Sequence, residues 1–296
     1  MVDIFKILKQ NLRYAFTLWL KLIGGFATVV TILSVFVTWE DFHAQNSYMK
    51  LVCLIAILFL LLIAVIGYSC NPYRKRVVCR SMSGTIVVRY ADLLKEGFDL
   101  RHKQEKLYVI PVNSSFDTVV DEEISLCGKP LISPNTLHGK WIKKMGENQK
   151  DTRYIDDAIC ACLSNQKKIP CKTLQDREYG KKEVYDLGTV AAVKGVGKNT
   201  FLLLALTDFD ENNNAHVSIE NLVKAVKSLI DFYDEHGQGY ELVVPLMGTN
   251  FSRIGLTHED SLKIISVMFQ IFRNKIHGDA SIVIHKADRD KVTIDM

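Results

Sequence analysis

Two long stretches near the start of the chain contain only uncharged, mostly apolar residues. They cover residues 22–39 and 51–70, which are 18 and 20 residues long. As α-helices they reach ~27 Å and ~30 Å, close to the ~30 Å hydrocarbon core of a bilayer. A pair of buried core helices is the alternative, but the second stretch is apolar on all sides. The pattern therefore predicts two membrane-spanning helices.

Charge on the flanks predicts the orientation of this pair. The basic residues of the two flanks are Lys6, Lys9, Arg13, Lys21, Arg74, Lys75, Arg76 and Arg80. The segment between the apolar stretches, residues 40–50, carries two acids and one lysine. Because basic flanks stay on the cytoplasmic side, we expect a multi-pass membrane protein with both termini in the cytoplasm.

The residues before the first apolar stretch form an amphipathic pattern. Ile4, Leu8, Leu12 and Phe16 recur at every fourth position, with the basic residues off that stripe. The pattern predicts a short helix lying in the membrane interface or, equally, the start of a longer helix.

From Gly84 onward, short β-branched runs alternate with amphipathic segments. The predicted strands are residues 85–90, 107–112, 189–193, 201–207, 241–246 and 281–285. Strands that alternate with helices are typical of an α/β layered domain with a largely parallel sheet.

Two of the helices between these strands have clear boundaries. One has an apolar stripe that stops before Gly237. The other opens at Thr257 and Asp260 with a capping-box pattern, and its stripe continues to Ile276 before Gly278. Residues 194–200 imitate a phosphate-binding P-loop but lack its first glycine, and their place between two strands favours a hairpin turn.

Composition divides the chain into two expected domains, residues 1–72 and 73–296. Of 37 basic and 33 acidic residues, five and three precede Tyr73, so the second part carries 32 minus 30, or +2. So small a charge does not favour a nucleic-acid partner. The seven cysteines are irregularly spaced without a CxxC pair, so neither a metal site nor a disulfide framework is expected.

Two loops that follow predicted strands have unusual chemistry. Residues 113–117 are small and polar apart from a phenylalanine, and residues 247–255, MGTNFSRIG, combine glycines with an arginine. In an α/β sheet, ligands gather beyond the carboxyl ends of the strands, and glycines let backbone amides approach phosphate closely. The alternative for the second loop is an ordinary turn.

Several segments, in this order along the chain, resemble macro domains. VVRYADLL resembles the strand that ends in the family's Gly-Asp-Ile, VIPVNSSFDT resembles the strand and loop written VNAAN, and VPLMGTNFSRIG resembles the GTG-type phosphate loop. YDLGTVAAV and TFLLLALTDF resemble the pair of central strands between them. The resemblance covers most of residues 85–285 and implies a macro-like three-layer α/β/α domain behind the two-helix hairpin.

NSSFDTVVDEEIS, the later LHGKWI and the two apolar stretches more narrowly resemble the membrane-anchored macro effectors of Thoeris anti-phage systems. That resemblance implies a place in the bacterial inner membrane and a signal derived from ADP-ribose, a histidine-linked ADP-ribose made by a TIR-domain partner that cleaves NAD. It also implies assembly into a homo-oligomer and disruption of the membrane in abortive infection. No cofactor and no catalytic residue are implied.

Carried over residue by residue, the resemblance gives a ligand-binding set. Its members are Asp92 for adenine; Asn113, Ser114 and Ser115 for the distal ribose, with Phe116 beside them; His138; and Gly248, Thr249, Asn250, Phe251 and Arg253 for the diphosphate. The residue types leave plainer readings open. Asp92 also fits a helix N-cap, Asn113 a strand end and His138 a solvated loop.

The sequence departs from the family pattern at two places. Phe116 stands where macro hydrolases have a second asparagine that helps to position water, and Asn250 replaces a loop glycine. We therefore expect a binding protein rather than an enzyme, with a membrane-tethered ADP-ribosyl hydrolase as the alternative and a scaffold with a vestigial pocket as a third reading.

Overall fold

The computed structural model describes the chain in two compact units. The described residues are 3–33, 47–101, 104–121, 131–148, 150–166, 169–170, 180–209, 215–216, 218–249 and 256–295. One unit is Met1–Arg74 with Ala287–Met296, and the other is Lys75–Lys286. The first boundary lies close to the expected one at residue 73. The last ten residues, however, group with the N-terminal helices, because Arg74 pairs with Asp295 and Thr293 donates a hydrogen bond to Asn11.

The helical unit contains α1 (Ile4–Leu33) and α2 (Ser47–Ser69). Asp3 starts α1, since its carboxylate accepts hydrogen bonds from the backbone amides of Phe5 and Lys6 at 3.0 and 3.3 Å. The amphipathic segment is therefore the start of one longer helix of ~45 Å and not a separate interfacial helix.

Two segments, Ile4–Thr31 and Val52–Ser69, are long and apolar enough to cross a bilayer. Only 6% and 11% of their most apolar windows are buried within the protein. A core helix of a soluble protein is instead mostly buried. The exposed apolar faces of these two helices therefore need an apolar surrounding. Trp19 joins the two helices by donating its indole hydrogen to the carbonyl oxygen of Leu58 at 3.2 Å.

The α/β unit is built on a mixed sheet. Its strands are β1 (Lys75–Arg80), β2 (Thr85–Ala91), β3 (Lys106–Asn113), β6 (Val190–Lys194), β7 (Thr200–Phe209), β8 (Ala215–His216), β9 (Glu241–Pro245) and β10 (Ala280–His285). The order is β1-β2-β10-β9-β3-β7-β6, with β8 on β7. The five strands from β2 to β7 in this order are parallel, and β1, β6 and β8 add antiparallel edges. Two short strands, β4 (Ile169–Pro170) and β5 (Glu183–Val184), pair separately.

Helices cover both faces of this sheet. They are α3 (Leu93–Gly97), α4 (Leu137–Glu147), α5 (Thr152–Leu163), α6 (Ile219–His236) and α7 (His258–Ile271), with 3-10 turns at Arg273–Lys275 and Lys286–Asp288. Tyr108, Ile110 and Val112 of β3 join one cluster with Trp141 of α4 and Ile155 of α5. The alternate residues of β3 and β7 are equally buried, which is the pattern of a sheet covered on both sides. The three-layer α/β/α architecture is thereby confirmed.

The structure confirms the six predicted strands and corrects two details. β1 was missed, because its basic residues were read only as a membrane flank. The helix that opens at Thr257 ends at Ile271, and Ile276 is buried from an extended backbone after the 3-10 turn rather than from the helix. The capping box is present, since Thr257 and Asp260 are hydrogen-bonded to each other.

Residues 194–200 form the expected hairpin turn and not a phosphate-binding loop. β6 and β7 pair antiparallel on either side of it, and the amide of Gly195 donates to the carbonyl of Asn199 at 2.9 Å. Gly197 at the tip has a φ of 68°, in the left-handed region that glycine adopts without strain.

Two glycines of α4 give a matched pair of substitutions. A Cβ at Gly139 would overlap the carbonyl oxygen of Ser133, whereas a Cβ at Gly146 would meet nothing within 4 Å. We expect Gly139→Ala to lower the free energy of unfolding by about 1–3 kcal/mol, because the backbone of the adjacent loop must move. Gly146→Ala should raise it by about 0.5–1 kcal/mol through helix propensity. Thermal unfolding of the full chain in detergent measures both, and a stabilised Gly139→Ala would contradict the packing described here.

Candidate functional site

Parallel pairing brings three of the expected ligand-binding segments to one edge of the sheet. Asp92 directly follows β2, Asn113 ends β3, and Gly248 lies three residues after β9. In the strand order β2-β10-β9-β3, Asp92 and Asn113 are three strand spacings apart, or ~14 Å at ~4.8 Å each. An elongated ligand can therefore contact both, with the loop after β9 between them. Asn250, Phe251 and Arg253 lie outside the described residues.

The side chain of Asn113 is used to shape the loop that follows β3. Its amide nitrogen donates to the Asp117 carboxylate at 2.7 Å, and its amide oxygen accepts from the backbone amide of Asp117 at 3.0 Å. The loop also returns to the sheet, where the amide of Ser114 donates to the carbonyl of Thr207 at 2.8 Å. Asn113, Ser114 and Ser115 are all buried, with 2–3% of their surface exposed. The contacts of Asn113 are therefore those of a residue that satisfies polar groups at the end of a strand.

Phe116 forms a buried wall and not an exposed contact. It is 1% exposed and packs edge-on against Tyr185, with the ring centroids 5.6 Å apart. Its φ of 50° is unusual for a residue with a bulky side chain, and such a conformation costs roughly 1–3 kcal/mol. The neighbouring contacts offset this strain. An apolar ring therefore fills this position of the loop.

A polar network that the sequence analysis missed holds this loop. Asp117 is 1% exposed and accepts a hydrogen bond from the backbone amide of Lys181 at 2.7 Å. The ammonium group of Lys181 donates to the carbonyl of Phe116 at 2.7 Å and pairs with Asp156. Thr118 also donates to Asp156. Lys181 is 64 residues from Asp117, so no local spacing could have revealed the pair.

His138 lies in the first turn of α4 and is not a solvated loop residue. It is 7% exposed and stacks on Trp141 with centroids 6.4 Å apart. Burial lowers the pKa of His138 to about 3, and the positive charge of Lys181 adds to that effect. The ring is therefore neutral at physiological pH and offers a hydrogen-bonding group but no charge.

Asp92 serves as the N-cap of α3. Its Oδ1 accepts a hydrogen bond from the backbone amide of Lys95 at 3.0 Å. α3 is tied to β2 by a bidentate pair in which Arg89 donates to both carboxylate oxygens of Glu96 at 2.7 and 2.8 Å. The cap uses one oxygen of Asp92, and Oδ2 takes no part in that bond. The interpretation of Asp92 as a helix N-cap is therefore correct. This cap bond does not use Oδ2, which could contact a ligand.

The loop after β9 leads into the N-terminus of α7. Gly248 has a φ of 85°, a conformation that most other residues adopt only with strain. The carbonyl of Met247 accepts a hydrogen bond from the buried hydroxyl of Ser261 at 2.6 Å, which ties the first turn of α7 to the loop. The helix dipole generally favours anions at such an N-terminus, although here Thr257 already accepts from the amide of Asp260.

A separate cavity of about 670 Å³ lies near the amino ends of β3 and β7. Its wall includes Glu105, Lys194, Thr200 and the polar face of α6 near Glu235. None of the expected ligand-binding residues that the structure describes lines it. We place the functional site at the carboxyl edge, because that is where strand ends, glycine loop and helix N-terminus converge. Among the described residues, no group of three or more His, Cys, Asp or Glu side chains is arranged to hold a metal ion.

Comparisons with known proteins assign a family to most of the α/β unit. Residues 86–285 match the family model described as Thoeris protein ThsA, Macro domain. Similar solved structures include the macrodomain of Mycobacterium tuberculosis DarG, at 17% identity, 66% coverage of this chain and 96% of that chain, with a TM-score of 0.36. An Oceanobacillus iheyensis macrodomain with ADP has 11% identity, 73% and 91% coverage and a TM-score of 0.39. A mutant of the Oceanobacillus iheyensis macrodomain has 10% identity, covers 74% of this chain and 92% of its own, and has a TM-score of 0.44. The search of curated proteins found no match.

The low pKa of His138 predicts an acid-sensitive fold. The unfolded chain takes up a proton on this histidine below its ordinary pKa of 6.5, whereas the folded chain does not until about pH 3. The stability contributed by the neutral ring is therefore complete above pH 6.5 and is lost as pH falls toward 3, by at most ~1.4 kcal/mol per pH unit.

Replacing His138 should flatten this dependence. We expect the unfolding midpoint of His138→Gln to fall less between pH 7 and pH 5 than that of the wild type, measured in urea on the full chain. His236→Gln is the matched control, because His236 is exposed at the end of α6. An identical pH dependence in wild type and His138→Gln would refute the assignment of a buried neutral ring.

Proposed function

Because the chain belongs to the macro-domain family of the Thoeris protein ThsA, we propose that it is a membrane effector of bacterial anti-phage defence that senses a nucleotide derived from ADP-ribose. The signal is a histidine-linked ADP-ribose made by a TIR-domain partner that cleaves NAD. Binding shifts the protein toward an assembled form that disrupts the membrane. The α/β unit acts as sensor and the two N-terminal helices act on the bilayer.

The observation that carries this proposal is the convergence of ligand-binding features at one sheet edge. Asp92, the loop of residues 113–117 and the glycine turn at Gly248 follow parallel strands and face the same edge. The ~14 Å between the first two suits an elongated ligand with a base at one end and a ribose at the other. The N-terminus of α7 is next to the middle of that span and favours a diphosphate.

In this proposal each end of the ligand meets different chemistry. Asp92 accepts a hydrogen bond from adenine, and Asn113, Ser114 and Ser115 line the distal ribose through the backbone that their buried side chains hold in shape. Phe116 forms the apolar wall beside that ribose.

The diphosphate and the histidine group complete the proposed contacts. Gly248 and Thr249, with Asn250, Phe251 and Arg253, hold the diphosphate. The charge of Lys181 acts on the neutral ring of His138, and the same ammonium group donates to the carbonyl of Phe116 in the ribose loop. Hydrolysis is the less favoured alternative for two reasons. Phe116 replaces the polar group that would position water. In addition, both the nitrogen and the oxygen of the Asn113 amide are already hydrogen-bonded to Asp117.

The two apolar helices support a role at the membrane. They leave nearly all of their most apolar surface exposed, and basic residues flank them, which favours two spans in the inner membrane with both termini in the cytoplasm. Two helices do not enclose an aqueous pore, so permeabilisation requires several copies. Assembly into a homo-oligomer is therefore part of the proposal.

Substitution of Asp92 tests the adenine contact without removing the helix cap. Asparagine caps helices as well as aspartate does, so Asp92→Asn should retain the stability of α3 while losing a charged acceptor. We expect the full chain in detergent to bind ADP-ribose or its histidine conjugate with a micromolar or lower Kd, and Asp92→Asn to weaken binding about tenfold or more. Isothermal titration measures both.

The control for this experiment is another N-cap. Asp151 caps α5 by accepting from the amide of Tyr154 at 3.0 Å, so Asp151→Asn makes the same chemical change away from the site and should bind normally. Equal affinity in wild type and Asp92→Asn would remove the adenine contact. Cleavage of an ADP-ribosylated protein that is abolished by Asn113→Ala would favour the hydrolase instead.

Membrane activity should depend on the nucleotide. With the full chain reconstituted in phospholipid vesicles that hold a fluorescent dye, we expect ADP-ribose or its conjugate to release the dye, with a rate that rises more steeply than linearly with protein density. The Asp92→Asn, Arg253→Ala double variant should release little at the same nucleotide concentration. Equal release with and without nucleotide would contradict a ligand-gated effector.

A further inference from the structure

The last residues of the chain are bound within the helical unit. We call residues 289–295 the C-terminal clasp. Asp295 forms an ion pair with Arg74, and the two side chains are only 6% and 5% exposed. The guanidinium group of Arg74 also lies over the rings of Tyr14 and Tyr68, 4.5 and 5.3 Å from their centroids. Arg74 is thus surrounded by the start of α1, the end of α2 and the clasp.

The clasp is held along α1 by specific hydrogen bonds. Thr293 donates to the side-chain oxygen of Asn11 at 2.7 Å, and the amide group of Gln10 donates to the carbonyl of Asp290 at 2.8 Å. The backbone amide of Asp3 donates to the Asp290 carboxylate at 3.2 Å. These contacts cover the first three turns of α1.

Apolar burial accompanies these polar contacts. Val292 and Ile294 of the clasp are 2% and 1% exposed, and Ile7 and Ala15 on α1 are 5% and 2% exposed. Most other large apolar residues of α1 are exposed, with Ile4, Phe5 and Leu12 above half. Ile7, Asn11 and Ala15 lie on one face of α1, at a spacing of four residues, and the clasp reaches that face through Thr293.

The clasp also reaches the end of α2. Arg289 donates to the carbonyl of Cys70 at 2.6 Å, just after the last residue of α2. One short segment thus bridges the end at which the chain enters α1 and the end at which it leaves α2. The clasp is a short segment without regular secondary structure, so it can open as a local unit while the sheet stays folded.

The chain connects the clasp directly to the candidate site. β10 lies between β2 and β9 in the sheet, so its carboxyl end lies between the strand that leads to Asp92 and the strand that leads to Gly248. From His285 at that end, one 3-10 turn, Lys286–Asp288, leads into Arg289. A ligand that contacts both neighbouring loops borders the strand end from which the clasp begins.

From these contacts we propose that the C-terminal clasp holds α1 and α2 in a resting arrangement, and that nucleotide binding at the carboxyl edge, transmitted through residues 285–288, loosens it. This inference rests on the proposed function. Loosening frees the α1 face around Ile7 and Ala15 for the assembled state. A nucleotide that binds more tightly when the clasp is loosened shifts the protein toward that state.

Hydrogen exchange of the full chain in lipid nanodiscs, with and without saturating ADP-ribose, tests the proposal. We expect the amides of residues 290–295 and of the first turns of α1 to exchange faster with the nucleotide, while the core strands are unchanged. In parallel, Thr293→Val removes the hydrogen bond to Asn11. Thr200→Val is its matched control, since Thr200 donates the same kind of hydrogen bond, to Glu105, at the amino end of β7.

Linkage sets the direction of the variant effects. If the nucleotide prefers the loosened clasp, weakening the clasp by one hydrogen bond raises the apparent affinity for ADP-ribose, by about fivefold for Thr293→Val and not at all for Thr200→Val. Faster exchange of the clasp in nucleotide-free Thr293→Val is expected as well.

The outcomes separate this proposal from the one on which it rests. Nucleotide binding with unchanged exchange of the clasp overturns the clasp proposal and leaves nucleotide sensing intact, as does an unchanged affinity in Thr293→Val whose clasp exchanges faster. Failure of the wild type to bind either ADP-ribose or its histidine conjugate overturns both. Faster exchange together with the expected affinity shift supports the clasp.

Discussion

Parallel pairing of β2, β10, β9, β3 and β7 is the constraint on which the rest of the α/β unit depends. Parallel neighbours cannot be joined by a tight turn, so the chain crosses over through helices, and these cover both faces of the sheet. The same pairing brings the carboxyl ends of five strands to one edge. Polar and glycine-containing loops that are far apart in the sequence therefore face a common ligand region.

Within that region a buried carboxylate governs the shape of the loop after β3. Asp117 has almost no contact with solvent, and a charge in such a place is stable only when hydrogen bonds replace the water it has lost. Asn113 and the backbone of Lys181 supply them. The cost of leaving Asp117 unsatisfied keeps Phe116 in its unusual conformation and gives the site an apolar wall instead of a polar group.

The α/β unit is inserted between two parts of the helical unit. Arg74 ends the first part, Ala287 begins the second, and both parts join around the buried pair of Arg74 and Asp295. Breaking a buried ion pair by removing one partner is costly, because the other charge is left uncompensated. The joining of the two parts of the helical unit therefore depends on this pair.

The sequence by itself determined the elements whose signals are local. Alternating and helical periodicity identified six strands and both apolar helices, and turn chemistry identified the hairpin of residues 194–200, because burial of one face repeats within a few residues. The order of motifs also indicated the family and the edge at which its ligand residues lie. The sequence did not identify β1, because its basic residues resemble those that flank a membrane span.

Only the tertiary structure decided which polar groups meet. Lys181 reaches Asp117 across 64 residues, and Thr293 reaches Asn11 across 282. His138 has an ordinary sequence context, yet packing against Trp141 makes it a neutral buried group. Such contacts depend on how whole elements are packed, and the free energy of a buried charge or hydrogen bond is set by neighbours that no spacing in the chain records.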